Sequence, residues 1–221
     1  MTAAAQKGYK GMGMEGPVAR WYEKTTRKDL EEFRQTAERL AAHLPTGGDV
    51  LEIAPGPGFL AIELARDLRF HVTGLDISKT FVELARKNAA EEQVRVEFRQ
   101  GNASKMPFPE GSFDFLVCRA AFKNFSEPEK ALREMRRVLR LDGTALIIDL
   151  RRDVPMTQIS RYVENMHVST VGQLFTAMTF RFMLLKRAYL IPELEQMLAP
   201  VGFTKAEVLS TEMGLEAWLK K

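Results

Sequence analysis

Residues 50–65, VLEIAPGPGFLAIELA, constrain the fold more than any other stretch of this chain. An apolar run ends at Ile53, a turn of glycine and proline follows, and a helical pattern begins near Leu60. Glycine lets the backbone approach a bound molecule closely, and the first turn of a helix presents unpaired N–H groups. The stretch therefore predicts a strand, a tight turn and a helix, with a ligand site at the turn.

The chain repeats this alternation of strand and helix as far as Leu150. Further strands are predicted at 70–75, from 94 onward, at 113–118 and at 144–150. Parallel strands need crossovers that cover the sheet, so the repetition predicts a parallel sheet with helices on both faces. The alternating strand from Val94 is typical of a sheet edge, and the continuously apolar 113–118 of a sheet centre. Two short strand patterns after Gly202 are close enough to form an antiparallel hairpin.

Local signals place the ends of one helix. Residues 126–129, SEPE, match a capping box with proline at the first helical position. Gly143 is the predicted C-terminal stop of that helix.

Length and composition favour one domain over residues 1–221. Within it we predict a cap segment with helices over residues 1–44 and a helical lid insertion over 153–190, which is rich in methionine and phenylalanine. The glycine-rich residues 1–16 leave two alternatives open, a segment that folds over a ligand and a frayed terminus.

Charge and composition argue against several classes of function. The net charge of +3 arises from 32 basic and 29 acidic residues, so nucleic-acid binding is not expected. No apolar run approaches the roughly 18 residues of a membrane span, and the N-terminus lacks the apolar core of a signal peptide. We therefore expect a cytoplasmic protein without stable membrane insertion. The single cysteine, Cys118, lies in an apolar run and is expected to be a buried, inert thiol.

Two kinds of ligand compete for the glycine-rich turn. Gly56, Gly58 and Ala61 satisfy G-x-G-x-x-A, and Asp76 follows about 20 residues later, as in a dinucleotide site. A carboxylate at that position suits the ribose of any adenosine-bearing ligand. Glu52 discriminates between them, because a carboxylate at the turn repels a pyrophosphate and attracts an ammonium group. The pattern favours S-adenosylmethionine over NAD.

Five motifs in order resemble those of class I S-adenosylmethionine-dependent methyltransferases. VLEIAPGPGF resembles their motif I, LDIS their acidic second-strand motif, and GNASKMPFPEGSFDFLVC their adenine-binding and fourth-strand motifs. EMRRVLRLDGTALIID is similar to the following helix and fifth strand, and the C-terminal hairpin to their seventh strand. The resemblance is nearest to methyltransferases of quinone, sterol and natural-product biosynthesis. It implies a Rossmann-like, doubly wound α/β sheet that is mostly parallel with an antiparallel seventh strand, plus N-terminal helices and a helical lid insertion.

The resemblance also implies a set of cofactor-binding residues. The methionine part would be held by Glu52, Gly56 and Gly58, with Ala54 at the first glycine position. Asp76 would bind the ribose, and Ile77 would pack on the adenine. The edge of the adenine would be bound by the side chain of Asn102 and the backbone N–H of Ala103. Arg119 would offer its backbone carbonyl to the ammonium group, and Tyr22 would touch the ligand carboxylate.

Three positions depart from the family pattern. Ala54 replaces the first glycine, which is tolerable if that residue keeps ordinary dihedrals. Asn102 replaces the commoner aspartate but retains an oxygen that accepts from the adenine amine. RAAFKNF stands where many relatives carry a histidine, so the usual general base is missing.

Methyl transfer from a sulfonium needs orientation and desolvation, and it needs a base only for an acceptor that carries a proton. The candidates for that role are His167, Lys123 and Asn124; packing or surface roles are the alternatives, and for Lys123 a solvated side chain. An apolar lid predicts a small-molecule acceptor with an aromatic or aliphatic body. We expect S-adenosylhomocysteine as the second product, no metal, and a monomer or homodimer. An NAD-dependent oxidoreductase and a non-catalytic adenosyl-ligand sensor stay open as alternatives, as does the acceptor atom.

Overall fold

The computed structural model describes residues 8–10, 13–44, 46–164 and 184–221. Its strands are β1 Gly48–Ile53, β2 Phe70–Asp76, β3 Val96–Gln100, β4 Phe113–Arg119, β5 Leu139–Leu150, β6 Lys205–Ser210 and β7 Gly214–Lys220. Its α-helices are α1 Gly16–Thr26, α2 Leu30–Ala42, α3 Phe59–Ala65, α4 Lys79–Glu91, α5 Pro128–Val138, α6 Met156–Glu164 and α7 Ile191–Leu198. Short 3₁₀ turns follow α1, β4 and α7.

The strands form one seven-stranded sheet in the order β3-β2-β1-β4-β5-β7-β6. Strands β1 to β5 run parallel, and β7 pairs antiparallel with both β5 and β6. The predicted fold class is confirmed, including the antiparallel seventh strand. The predictions of an edge position for β3 and a central one for β4 are also confirmed.

Two hydrophobic layers cover the sheet, one on each face. Successive residues of a strand point to opposite sides. Val50 of β1 accordingly packs with Leu60 of α3 in one layer, and Leu51 packs with Leu132 of α5 in the other. All four side chains are fully buried. Because all the strands of β1 to β5 run in one direction, their carboxyl ends share one edge, where ligands bind in open α/β sheets.

The prediction of proline as the first helical residue of α5 is confirmed, whereas the predicted capping box and the predicted stop at Gly143 are wrong. The N-cap is Glu127, whose side chain makes no capping hydrogen bond, and proline is the first helical residue. The helix ends at Val138, and Gly143 lies inside β5. The chain inserts extra residues into β5 opposite Phe113, where Asp142 has a φ of 63°. Because β5 begins to pair with β4 at Leu139, the helix ends before the stop predicted at Gly143.

A segment that we call the N-terminal strap, residues 8–10 and 13–15, lies across the carboxyl edge of the sheet. Lys10 N–H donates to Asn124 O over 2.6 Å, and Tyr9 forms an antiparallel bridge with Phe125. Glu15 accepts from the backbone N–H groups of Lys79 and Thr80 at the start of α4. The described part of the N-terminus is therefore docked rather than frayed.

Part of the predicted lid lies outside the described residues. The insertion begins with α6 and continues from residue 184 to Tyr189, which bridges to Arg151. His167 and the apolar residues 175–183 fall outside the described ranges. Among the helices described, none combines the length and the apolar character that a membrane crossing requires.

Candidate active site

The glycine-rich turn after β1 uses left-handed backbone at three positions. Ala54, Gly56 and Gly58 have φ values of 57°, 55° and 84°. Ordinary dihedrals were the condition for alanine to be tolerable at position 54, and the structure does not meet that condition. The N–H of Ala54 donates to Leu75 O over 2.8 Å, which extends the β1–β2 ladder by one residue before the chain must reverse. That bond fixes Ala54 in a conformation that L-residues adopt at a cost.

Glu52 is the chemically unusual residue of this turn. It lies near the end of β1 and is 4% exposed, and its Oε2 has no hydrogen-bond partner among the described residues. Burial raises the pKa of Glu52 to about 8, although a hydrogen bond from the backbone of Ala61 and the charge of Arg119 oppose the shift. A buried carboxyl group with an unused oxygen is prepared for a cationic hydrogen-bond donor.

Asp76 supports the turn from the end of β2. Its Oδ2 accepts from Gly56 N–H over 3.0 Å, and its Oδ1 accepts from Ser78 N–H over 2.8 Å. Burial raises the pKa of Asp76 to about 6, against the lowering effect of these N–H groups. Each carboxylate oxygen has a second lone pair, so Asp76 can still accept from ribose hydroxyls while it holds the turn.

The predicted adenine contacts meet beneath the strap. A Cβ placed on Gly8 would lie 2.3 Å from Ile77 Cδ1 and 2.9 Å from Asn102 Nδ2. Asn102 Oδ1 accepts from Ser104 N–H over 2.8 Å, so the amide nitrogen is the atom turned toward Gly8. Ala103 follows, half-buried against the core. The structure thus brings Ile77 and Asn102 together, with Asn102 offering a donor where the sequence suggested an acceptor.

Tyr22 and Arg119 border the predicted methionine side of the site. The Tyr22 ring packs edge-on against Phe81, and its Cε1 lies 3.9 Å from the position of a Cβ on Gly56. Arg119 pairs with Glu32 of α2, and its guanidinium lies 4.6 Å from the centroid of the Phe33 ring. Tyr22 thus reaches the turn from α1, whereas Arg119, the last residue of β4, is held in place by α2.

Lys123 is buried rather than solvated. Its Nζ donates to Asp149 Oδ1 and to Ala120 O, each over 2.6 Å, and its backbone N–H donates to Asp149 Oδ2 over 2.8 Å. Lys123 and Asp149 are 3% and 8% exposed. The amine is therefore held inside the protein, an arrangement that favours a structural role over proton abstraction. Asn124, the next residue, is half-buried at the site edge.

The sequence reasoning missed Tyr9 and Asp149. Burial raises the pKa of Tyr9, Arg187 lowers it, and Asp76 and Asp149 raise it, so the phenol lies among charges from both sides of the site. Asp149 lies at the end of β5, just as Asp76 lies at the end of β2. An acidic residue near the end of a buried strand was a usable signal for Asp149. Tyr9 offered none beyond its glycine-rich surroundings.

The sheet order and the buried acids at the ends of β1 and β2 define a Rossmann-like α/β protein with its candidate site at the carboxyl edge. Residues 51–147 match a family described as a methyltransferase domain. The matched residues, with the sheet around them, have the sequence and fold of a class I S-adenosylmethionine-dependent methyltransferase domain.

Relatives support that assignment over part of the chain. The uncharacterized methyltransferase YcgJ of Bacillus subtilis is 40% identical over 123 residues, which cover 55% of this chain and 46% of YcgJ. The demethylmenaquinone methyltransferase of Deinococcus radiodurans is 35% identical over 117 residues, 52% of this chain and 48% of that enzyme. The matched region thus spans about half the length of each relative.

Structural similarity extends over nearly the whole chain. A proposed S-adenosyl-L-methionine-dependent methyltransferase from Methanococcus maripaludis superposes with a TM-score of 0.77 at 20% identity, covering 96% of this chain and 95% of that one. At this identity the likeness shows the fold.

Proposed function

We propose that this protein transfers a methyl group from S-adenosylmethionine to a small, partly apolar acceptor. The observation that carries the proposal is Oε2 of buried Glu52 at the glycine-rich turn, which has no hydrogen-bond partner in the part of the chain that the structure describes. Such a carboxylate suits the ammonium group of an amino-acid moiety and disfavours a pyrophosphate. The antiparallel β7 and the family match support the same choice over an NAD-dependent oxidoreductase.

The residues present fit the cofactor that the family implies. Glu52 would accept from the ammonium group, and Tyr22 beside Gly56 would contact the carboxylate. Asp76 would accept from the ribose hydroxyls. Ile77 would pack on the adenine, with Asn102 and the backbone of Ala103 at its edge. When bound, the sulfonium supplies an electrophilic methyl group that needs no metal in this scheme.

The contribution of the chain to the reaction is orientation and exclusion of water. The strap and α6 both border the carboxyl edge, and their placement over the site would shield the reacting atoms. Lys123 would hold the loop after β4 in place through Asp149 rather than remove a proton. Asn124, and His167 beyond the described residues, stay candidates for contact with the acceptor. The acceptor atom, the cytoplasmic location and the choice of monomer or homodimer remain predictions from the sequence.

Thermal unfolding separates the cofactor hypotheses. A ligand at 100 times its Kd stabilises a protein by about 2.7 kcal/mol. We expect S-adenosylhomocysteine to raise the Tm and NADH to leave it unchanged. Glu52→Gln should lose most of that shift, whereas the control Glu97→Gln, on the exposed edge strand β3, should retain it. Stabilisation by NADH alone would overturn the proposal.

Product formation separates an enzyme from a sensor. Protein, S-adenosylmethionine and a small-molecule cell extract are incubated and compared by untargeted mass spectrometry with a sample that contains Glu52→Gln. We expect compounds heavier by one CH₂ unit to accumulate only with the parent protein. Cofactor binding without any such product across extracts would favour the sensor.

A further inference from the structure

Two half-buried cations border the acceptor side of the site. Lys10 Nζ donates to Tyr189 Oη over 2.8 Å and lies 5.2 Å from the centroid of the Tyr189 ring. Arg187 Nη1 donates to Asn124 Oδ1 over 3.4 Å. Among the described residues, no carboxylate oxygen lies within 4.0 Å of either charged group. Arg137 and Arg152, by contrast, each pair with a glutamate.

One residue draws the two cations together. Asn124 accepts from Lys10 N–H through its backbone oxygen and from Arg187 through its side chain. The strap runs antiparallel to the chain after β4, so Gly8 lies at the adenine contacts while Lys10 lies two residues farther along the edge. The cations therefore stand at the β4–β5 end of the site, away from the predicted adenine position. Under the proposed function the acceptor lies at that end, because Asn124 is a candidate for contact with it.

The neighbouring groups suit an anion with an apolar body. A half-buried cation without an opposite charge has lost part of its hydration and gains by pairing. Guanidinium and ammonium groups are the usual partners of carboxylates and phosphates in charge-assisted hydrogen bonds. The half-buried ring of Tyr189 lies beside Lys10, packed against the buried ring of Phe122 at a centroid distance of 5.8 Å, and supplies adjoining apolar surface.

We propose that Lys10 and Arg187 bind an anionic group, a carboxylate or a phosphate, on the acceptor. The inference rests on the proposed function and narrows its substrate class to amphipathic anions. Lys10 belongs to the strap and Arg187 to the insertion after β5, so an anion bound between them would connect the strap to the insertion.

Fragment binding tests the proposal without knowledge of the acceptor. Benzoate, phenyl phosphate and neutral benzamide are titrated by ligand-observed NMR into the protein of residues 1–221, with and without saturating S-adenosylhomocysteine. We expect the two anions to bind and benzamide to bind at least about ten-fold more weakly, since it cannot form charge-assisted bonds. The anion that binds more tightly indicates whether the acceptor carries a carboxylate or a phosphate.

Variants locate the anion site. Arg187→Gln and Lys10→Gln should each weaken binding of the preferred anion about ten-fold or more. Lys186→Gln is the matched control, because Lys186 is exposed and adjacent in the chain. Equal binding of anions and benzamide, or an equal loss in Lys186→Gln, would overturn the inference. Calorimetry measures the binding of S-adenosylhomocysteine in a separate experiment. If the cofactor binds and the anions do not, only this inference is refuted. If S-adenosylhomocysteine does not bind, the proposed function is refuted.

Discussion

Ala54 holds a left-handed backbone that glycine adopts more readily, with a φ of 57°. An L-residue loses about 1–2 kcal/mol in this region, whereas glycine loses about 0.4–1 kcal/mol through the entropy of its unfolded chain. We therefore expect Ala54→Gly to raise the free energy of unfolding by about 0.5–1 kcal/mol. Urea denaturation of the ligand-free protein measures the change.

Gly56→Ala is the matched reverse substitution. Gly56 has a φ of 55°, and an added Cβ would meet only Tyr22 at 3.9 Å, so its effect is mainly that of the backbone. It should lower the free energy of unfolding. If both substitutions destabilise the protein, the left-handed turn is stabilised by contacts of the Ala54 methyl group rather than strained.

Lys123 and Asp149 form a buried pair. Loss of this pair should lower the stability of the fold and have little direct effect on the methyl-transfer step. Lys123→Met leaves an uncompensated carboxylate and should lower the free energy of unfolding by about 3–5 kcal/mol. Adding Asp149→Leu should recover part of this loss, because the unpaired charge is gone while the backbone N–H of Lys123 remains without its acceptor. Chemical denaturation of the single and double variants measures the coupling.

Activity decides whether Lys123 also acts as a base. Methyl-transfer rates of Lys123→Met, corrected for the folded fraction, should stay near those of the parent. A variant that is as stable as the parent yet inactive would contradict the structural role.

The strap lies over the predicted adenine contacts Ile77 and Asn102, so we expect it to govern access to the adenosyl end. In Gly8→Ala the new methyl group would lie 2.3 Å from Ile77 Cδ1, so either the strap or its two neighbours must move. Both movements loosen the cover, and we expect faster association and faster dissociation of S-adenosylhomocysteine. Stopped-flow fluorescence of Trp21, adjacent to Tyr22 in α1, measures both rates.

Gly13→Ala controls for the loss of a glycine in the same segment. An added Cβ there meets nothing within 4 Å. Its rates should match those of the parent. Parent-like exchange in Gly8→Ala would show that the strap does not gate the cofactor.

Elements with a strong local pattern could be predicted from the sequence. The strands, their edge and central positions, the glycine-rich turn and the hairpin each follow from hydrophobic periodicity or turn residues within about 16 positions. The sequence left a folded-over segment and a frayed terminus as equal alternatives for the strap, because its hydrogen bonds join residue 10 to residue 124 and residue 15 to residue 80. The pair of Lys123 and Asp149 was missed for the same reason: the residues are 26 positions apart and meet only once β4 and β5 pair.

At the scale of the whole molecule, the candidate site makes stability depend on pH. Burial raises the pKa of Glu52 to about 8 and that of Asp76 to about 6, above the ordinary values of 4.5 and 3.8. The folded protein therefore retains protons that the unfolded chain has released. The contribution of these two groups to stability is full below about pH 4 and falls as pH rises through their folded pKa values. Each pKa unit corresponds to about 1.4 kcal/mol, so the decline amounts to several kcal/mol by pH 8.

Glu52→Gln should flatten this decline, because the variant has no proton to lose at position 52. Between pH 5 and 8.5 the ligand-free Tm should fall less in Glu52→Gln than in the parent, with Asp76 accounting for the slope that remains. S-adenosylhomocysteine should reverse the trend in the parent, since its ammonium group favours the ionised carboxylate and binding then releases a proton. The ligand-induced rise in Tm should therefore grow toward pH 8 in the parent alone. Parallel profiles for the two proteins would mean that Glu52 is not the group that couples binding to folding.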